Sequence, residues 1–388
     1  YSEKIFKTFT FTLASVSSAK TAREKLEILL KDFFFWFTVI NVLLMIALVA
    51  ASAAHRSLEF SALTSTIAIV TSGCNVGVKS CTVYFNKSSI VKVLNYTKRD
   101  FPIKQNHKRY KVDRYLRSYK TFAKLYTFLF ATPCLSAMVI PLIELFTSGQ
   151  RTFPLHIWVP FDTETNGMYT LALLWSFWTV AYSVIVLIAI DSLMFVLITL
   201  VSMEFDILKL DFLDLKSAGK AKAERHARRL IQRHNDLMEC SKHLQSIYSA
   251  SFLYTFMQGS FVICLTAFQY MASSEATALM FNGSYCAAIL NQIFLVCYFG
   301  QKILDSSGNI ANSVYNCGWE RIQSDGLRKA LMLVVQRAQT PVKLTAMNFM
   351  DVSLTSFRSI LTSAYSYFTM LREFYTRTGT QKSQKRIG

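Results

Sequence analysis

Residues 33–54 read FFFWFTVINVLLMIALVAASAA, 22 consecutive positions without one charge. At about 1.5 Å per residue the run crosses a hydrocarbon slab roughly 30 Å thick and exceeds what a buried core helix needs. It begins too late and runs too long for a cleaved signal peptide, so it is expected to be a first membrane span that keeps the N-terminus preceding it. Further apolar runs follow at 60–78, 121–146, 169–201, 249–271, 277–300 and 350–371, giving seven spans. The second and last are the weakest, because Ser and Thr are scattered through them. No Gly/Ser linker, low-complexity tract or internal repeat separates the runs, and the chain reads as a single all-α integral membrane protein.

Charge supplies the orientation. The 388 residues carry 42 Lys+Arg against 24 Asp+Glu, a net charge of +18, yet only 17% are charged and 52% are hydrophobic. A nucleic-acid partner would need that charge on a polar surface, so none is expected. Residues 1–32 hold six basic side chains, 79–124 thirteen, 202–247 nine and 301–343 six, whereas 55–59 holds only Arg56, 147–168 only Arg151, and 272–276 none. By the positive-inside rule the N-terminus is expected to be cytoplasmic and, after seven crossings, the C-terminus extracellular. Arg372, Arg377, Lys382, Lys385 and Arg386 in the tail fit this map badly. The eight Cys fall in spans or basic segments, so no disulfide is expected in outer loops. The sequons at Asn86, Asn95 and Asn282 are expected to be unused, the first two being cytoplasmic and the third inside a span.

The apolar run 169–201 is 33 residues, about 50 Å as a helix, and must tilt or project from the bilayer. Asp191 then lies near the inner boundary, and a structural role is expected for it. From Arg225 to Met271 nothing breaks a helical pattern, with Leu230, Leu237, Leu244, Ile247 and Tyr248 on one side. Residues 301–349 repeat the idea through Val314, Tyr315, Trp319, Leu327, Leu331, Val334 and Val335, and Pro341 punctuates before the last span. Such amphipathic extensions suggest a bundle where subunits meet. The divisions are a cytoplasmic N-terminal segment (1–32), six spans with their loops and extensions (33–301), an anchor region (302–349), and a last helix with an external tail (350–388).

In the last span Ser356, Ser359, Ser363, Ser366, Met370 and Glu373 recur at steps of three and four and share one face. In lipid such a stripe either packs on another helix or faces water; Glu373 on the same line favours water, since a ring of carboxylates at a mouth attracts cations. Asp113-Arg114-Tyr115 matches the DRY triplet of G-protein-coupled receptors but precedes a span running outward, so it is read as chance. No P-loop, GxSxG or HExxH is present. His226, His234 and His243 lack metal-ligand spacing. No catalytic site, metal or cofactor is expected.

The C-terminal third carries a resemblance. ILNQIFLVCYFGQKILDSSGNIANSVYNCGWERI and LVVQRAQTPVKLTAMNFMDVSLTSFRSILTSAYSYFTML are similar to the insect odorant receptor family, through the Tyr315/Trp319 spacing, RAQTP, the SL-TF-IL pattern from Ser353 and the AYSYFTML ending. FPLHIWVPFD (153–162) resembles its second outer loop. The resemblance implies an odorant-gated, non-selective cation channel of four subunits in the plasma membrane of olfactory sensory neurons, with the last helix lining the pore. Met370 matches the family's gate, with Glu373 and Phe374 beside it and Ser359, Ser363 and Ser366 along the same wall; Tyr315, Trp319, Leu327 and Leu331 fall in its subunit anchor. The 202–247 segment is too short for the insertion that marks the family's co-receptor, so the chain resembles a tuning receptor that assembles with co-receptor subunits. Odorants of the family bind among the second, third, fourth and sixth spans. Depth and helical facing pick Ile67, Thr71, Pro133, Ser136, Ala137, Ile140, Tyr169, Leu173, Ser176, Met280, Gly283 and Ala287 for a mostly apolar pocket taking a volatile ligand. A gustatory receptor channel and a G-protein-coupled receptor are the alternatives, and a transporter a third.

Overall fold

A computed structural model describes residues 22–55, 60–99, 108–154, 165–215, 220–273 and 275–387. Seven long helices dominate the described chain: α1 (Ala22–His55), α2 (Phe60–Phe85), α4 (Val112–Ser148), α5 (Asn166–Asp214), α6 (Lys220–Ala272), α7 (Ala276–Gly308) and α10 (Leu354–Ile387). Shorter pieces are α3 (Lys87–Arg99), α8 (Ile310–Tyr315), a 3-10 turn (Trp319–Arg321), α9 (Asp325–Ala338) and a hairpin of β1 (Thr345–Ala346) and β2 (Met350–Asp351). Five of the long helices are apolar enough to cross a membrane by length and composition; α2 and α10 fall short. These are the two spans whose Ser and Thr content weakens the hydropathy signal.

The bundle has two unlike halves. Toward the loop at 149–154, α1, α4 and α5 turn Leu43, Leu135, Phe146, Leu171 and Trp178 outward, as helices bathed in lipid do. Toward the opposite, basic end, α5 is buried almost all round: Met194, Phe195, Leu197, Ile198, Val201, Met203, Phe205, Ile207 and Leu208 are each at most 2% exposed. There α3, α4, α6, α7 and α8 surround it, so the main core lies in this half. α5 is 49 residues and α6 53, about 74 and 80 Å at 1.5 Å per residue, and both overrun a bilayer as the long apolar run and the unbroken 225–271 pattern require.

Charge pairing stitches the basic end. Arg233 of α6 reaches Glu204 at 2.5 Å and Asp211 at 2.9 Å on α5. Tyr110 donates to Asp211 at 2.7 Å, Arg109 pairs with Asp214, and Arg99 pairs with Asp236 at 3.1 Å. Burial and the Asp211 carboxylate push the Tyr110 phenol up to about 12, so it remains the donor. Tyr115 of the DRY triplet bonds Asp206, beneath the Lys302 ammonium 4.0 Å from its ring. The acids at the end of α5 thus hold residues 109–115 and α6 against it, while Asp236 of α6 holds Arg99 at the end of α3.

The hairpin before α10 was not foreseen from sequence. Its tip, Met347 and Asn348, has positive φ of 48° and 62°. Gln245 of α6 closes it as a strand would, accepting from the Thr345 amide at 2.8 Å and donating to the Thr345 carbonyl at 3.0 Å. The Val352 amide reaches back to the Leu344 carbonyl at 2.7 Å, and the Ser353 hydroxyl accepts from the Ser356 amide at 3.3 Å, capping α10.

Candidate ligand cavity and last-helix stripe

A cavity of about 530 Å³ lies inside the half of the bundle nearer the 149–154 loop. Its wall comprises Ser72, Gly73, Asn75 and Val76 of α2; Phe130, Pro133, Ala137 and Ile140 of α4; Val180, Ser183, Val184 and Leu187 of α5; Gln258 and Gln269 of α6; and Phe281, Asn282, Tyr285, Ile289 and Gln292 of α7. Met45 of α1, Ala68 of α2, Thr152, Phe153 and Pro154 of the loop, and two carboxylates, Glu144 of α4 and Glu275 just before α7, also line it. Such a volume suits a small organic molecule, and its apolar side chains with a few polar groups are what burial and orientation together require.

Two prolines shape the α4 wall. Pro133 and Pro141 stand inside that helix, where each removes an amide from the hydrogen-bond ladder. For Pro133 the freed group is the Leu129 carbonyl, and the Thr132 hydroxyl donates to it at 3.0 Å. Small Ala137 lies between the prolines and leaves room for a ligand.

Of the sequence-derived set, Pro133, Ala137 and Ile140 line the cavity. Tyr169, Leu173 and Ser176 occupy the same α5 face as Val180, Ser183 and Leu187 but lie nearer the loop and are buried behind the wall, where Tyr169 bonds the Thr152 carbonyl at 3.1 Å. Ile67 and Thr71 are one position out of phase with Ala68 and Ser72, which do line it. On α7 the lining faces are Phe281, Asn282 and Tyr285; Met280 is 71% exposed on the outside, Ala287 is also exposed, and Gly283 sits against the Tyr270 ring. Ser136 is spent on the Pro133 carbonyl at 3.0 Å. Asn75, Gln258 and Gln292 were missed. Their signal was available, because a polar side chain inside an apolar span needs an internal partner or a ligand.

Those polar residues connect to an ionic centre. Asp191 receives Lys79 of α2 on both oxygens, at 2.6 and 2.7 Å, Tyr126 of α4 at 2.5 Å and Gln292 of α7 at 2.7 Å. All four side chains are at most 2% exposed. Asp191 therefore ties four helices at one point, and Gln292 belongs to both this centre and the cavity wall.

On α10, Ser359, Ser363, Ser366, Met370 and Glu373 all point away from the subunit, while Ile360 and Ala364 are buried against it. Ser356 departs from the stripe: it is buried, and its hydroxyl bonds the Asp351 carbonyl at 2.5 Å. Glu373 pairs with Arg377 at 2.5 Å, both exposed, which accounts for one basic residue of the tail. Phe374 is 58% exposed beside it. In the anchor region Tyr315 is 66% exposed and Trp319 half-buried, but Leu327 and Leu331 face their own subunit's core. Only the first two therefore offer surface to a neighbour; the leucines position α9. Among the described residues no three His, Cys, Asp or Glu converge on a point.

The family model described as 7tm Odorant receptor matches residues 59–365, most of the chain. The chain belongs to the insect odorant receptor family. Two relatives of the receptor in Drosophila melanogaster cover nearly all of it: Odorant receptor 85b is 23% identical over 97% of this chain and 100% of its own, and Odorant receptor 85c is 25% identical over 92% and 94%. Among solved structures, the insect olfactory receptor OR5 of Machilis hrabei in complex with eugenol superposes with a TM-score of 0.81 at 18% identity, covering 96% of this receptor and 98% of that chain. A second structure of OR5 superposes with a TM-score of 0.79, also at 18% identity. The receptor is thus an all-helical, multi-pass membrane protein with the fold of OR5. The 1–21 segment and positions 155–162 of FPLHIWVPFD lie outside the described residues.

Proposed function

We propose that the receptor is the odorant-binding subunit of a cation channel, assembled with co-receptor subunits into a tetramer in the plasma membrane of olfactory neurons, and that a volatile ligand in the 530 Å³ cavity opens a pore walled by α10. The observation that carries this reading is the way two helices serve both places. Gln269 and Gln292 line the cavity, whereas Phe268, the next residue of α6, meets Tyr375 of α10 at 5.2 Å, and Phe294 of α7 meets Phe357 of α10 at 5.6 Å. A ligand that shifts α6 or α7 therefore bears on the stripe within two residues, and it gates to the extent that it prefers the open arrangement. The known eugenol complex of OR5 supports a small organic ligand. The basic end is assigned to the cytoplasm.

Odorant-evoked whole-cell currents test the reading: they are expected when the chain is expressed with co-receptor, and silence to a broad panel despite surface delivery contradicts it. An epitope at the N-terminus is expected to stain only after permeabilisation; staining of intact cells would instead fit a G-protein-coupled receptor.

The stripe makes a separate prediction. Glu373→Gln is expected to lower unitary cation conductance roughly twofold or more, because a carboxylate at the mouth concentrates cations, and Met370→Ala to raise unliganded current. Neither changes the rank order of odorants. Single-channel recordings with unchanged conductance and leak in both variants would place α10 outside the pore.

A further inference from the structure

We propose that the cavity selects ligands bearing a hydroxyl group, and that Asn75, Ser183 and Gln292 form the subsite that receives it. The inference rests on the reading of the cavity as the gating site and concerns what enters it. Asp191 can only accept, so Gln292 must turn its amide nitrogen toward the carboxylate at 2.7 Å. Its other atom, Oε1, then has no hydrogen-bond partner, although the side chain is fully buried and lines the cavity.

A second amide is left in the same condition. The Ser72 hydroxyl donates to the Ala68 carbonyl at 2.8 Å, which leaves its oxygen to accept from Gln258 at 3.4 Å and from the Tyr285 phenol. The Gln258 oxygen in turn accepts from the Asn75 amide nitrogen at 3.2 Å. Asn75, 2% exposed, keeps an unpartnered Oδ1. The Ser183 hydroxyl on the facing α5 wall also has no partner. The amide hydrogens used along this wall point into the protein, and two of the three unpartnered atoms are carbonyl-type acceptors.

A buried acceptor without a donor carries the whole cost of its desolvation, and a ligand proton removes that cost. Alcohols and phenols supply one proton and keep an oxygen to accept from Ser183. Ketones, esters and ethers only accept, and so meet Asn75 and Gln292 oxygen to oxygen. A protonated amine would find the cavity's lining carboxylates, Glu144 and Glu275, at the loop ends of α4 and α7, whereas beside Asn75 and Gln292 the carboxylate, Asp191, is already neutralised by Lys79.

The test compares matched ligands on cells expressing the receptor with co-receptor: 1-octanol, octyl methyl ether and 2-octanone, then 4-ethylphenol with 4-ethylanisole, and geraniol with its methyl ether. The hydroxyl member of each responding series is expected to act at roughly tenfold or more lower concentration, the scale of one net hydrogen bond gained. Ser183→Ala and Asn75→Leu, scored only at surface levels matching the parent, are expected to compress that ratio toward one by weakening the alcohol rather than the ether. Equal potencies in the parent overturn the hydroxyl selection while leaving the cavity as the gating site. A ratio unchanged in both variants overturns the assignment to these residues. Silence to every ligand overturns the gating reading and this inference with it.

Discussion

Asp191→Leu is expected to destabilise the folded receptor by about 3–5 kcal/mol, the cost of stripping a buried charge of its partner. Lys79 would remain 2% exposed with no anion beside it, and Tyr126 and Gln292 would lose the acceptor that orders them. Lys79→Met alone should cost a similar amount by leaving Asp191 uncompensated. The double replacement Lys79→Met with Asp191→Leu should recover much of the loss, since two apolar side chains can fill the site without an unpaired charge. Thermal melting of the detergent-solubilised receptor and the fraction delivered to the cell surface, taken around the double-mutant cycle, give the answer. Near-additive losses in the cycle would mean that the pair does not act as a unit.

Gly300→Ala is the second large effect. A Cβ there would lie 2.6 Å from Cγ1 of Val352 and 2.9 Å from its carbonyl carbon, and closer still to its carbonyl oxygen. Val352 immediately precedes the cap of α10, and its backbone cannot rotate away as a side-chain tip can. The expected cost is about 1–3 kcal/mol or more, with the start of α10 displaced and ligand-evoked current lost. Two other glycines calibrate the result. At Gly259 a Cβ meets chiefly the Ile293 side chain, which can change rotamer, so a milder effect is expected; at Gly77 nothing lies within 4 Å, and alanine there is expected to cost nothing or to stabilise the helix by up to about 1 kcal/mol. Normal currents from Gly300→Ala would show that the α7–hairpin contact does not set the position of α10.

What the sequence disclosed followed from the strength of each physical signal. An uncharged 22-residue run has few fates besides a bilayer, and the 33-residue apolar run and the unbroken 225–271 pattern already carried α5 and α6 past its thickness, although α5 continues to Asp214. The facing of helices inside the bundle was less legible. On α4 the prolines and small residues mark one side, and Pro133, Ala137 and Ile140 lie in the cavity. On α2 and α7 apolar and small residues occur all round, so a one-residue error, which turns a helix by about 100°, put Met280 toward lipid and Thr71 out of the wall. Depth was equally unmarked along α5, where Tyr169, Leu173 and Ser176 share the cavity's face but not its level. Lys79 was counted as one of thirteen basic residues of a cytoplasmic segment; its pairing with Asp191 needed the helices brought together. The hairpin at 345–351 has strands of two residues each, too short for an alternating pattern to announce them.

Filling the cavity between the spans shows whether the ligand that opens this receptor sits there. Ala137 is 7% exposed and lines the cavity, so Ala137→Phe would add a ring to empty space. Odorant concentration–response curves are to be recorded for parent and variant with co-receptor at equal surface expression. For ligands that fill the space the half-maximal concentration is expected to rise at least roughly tenfold, because a phenyl group occupies their volume. An unchanged curve at equal surface expression would place the gating ligand outside this cavity.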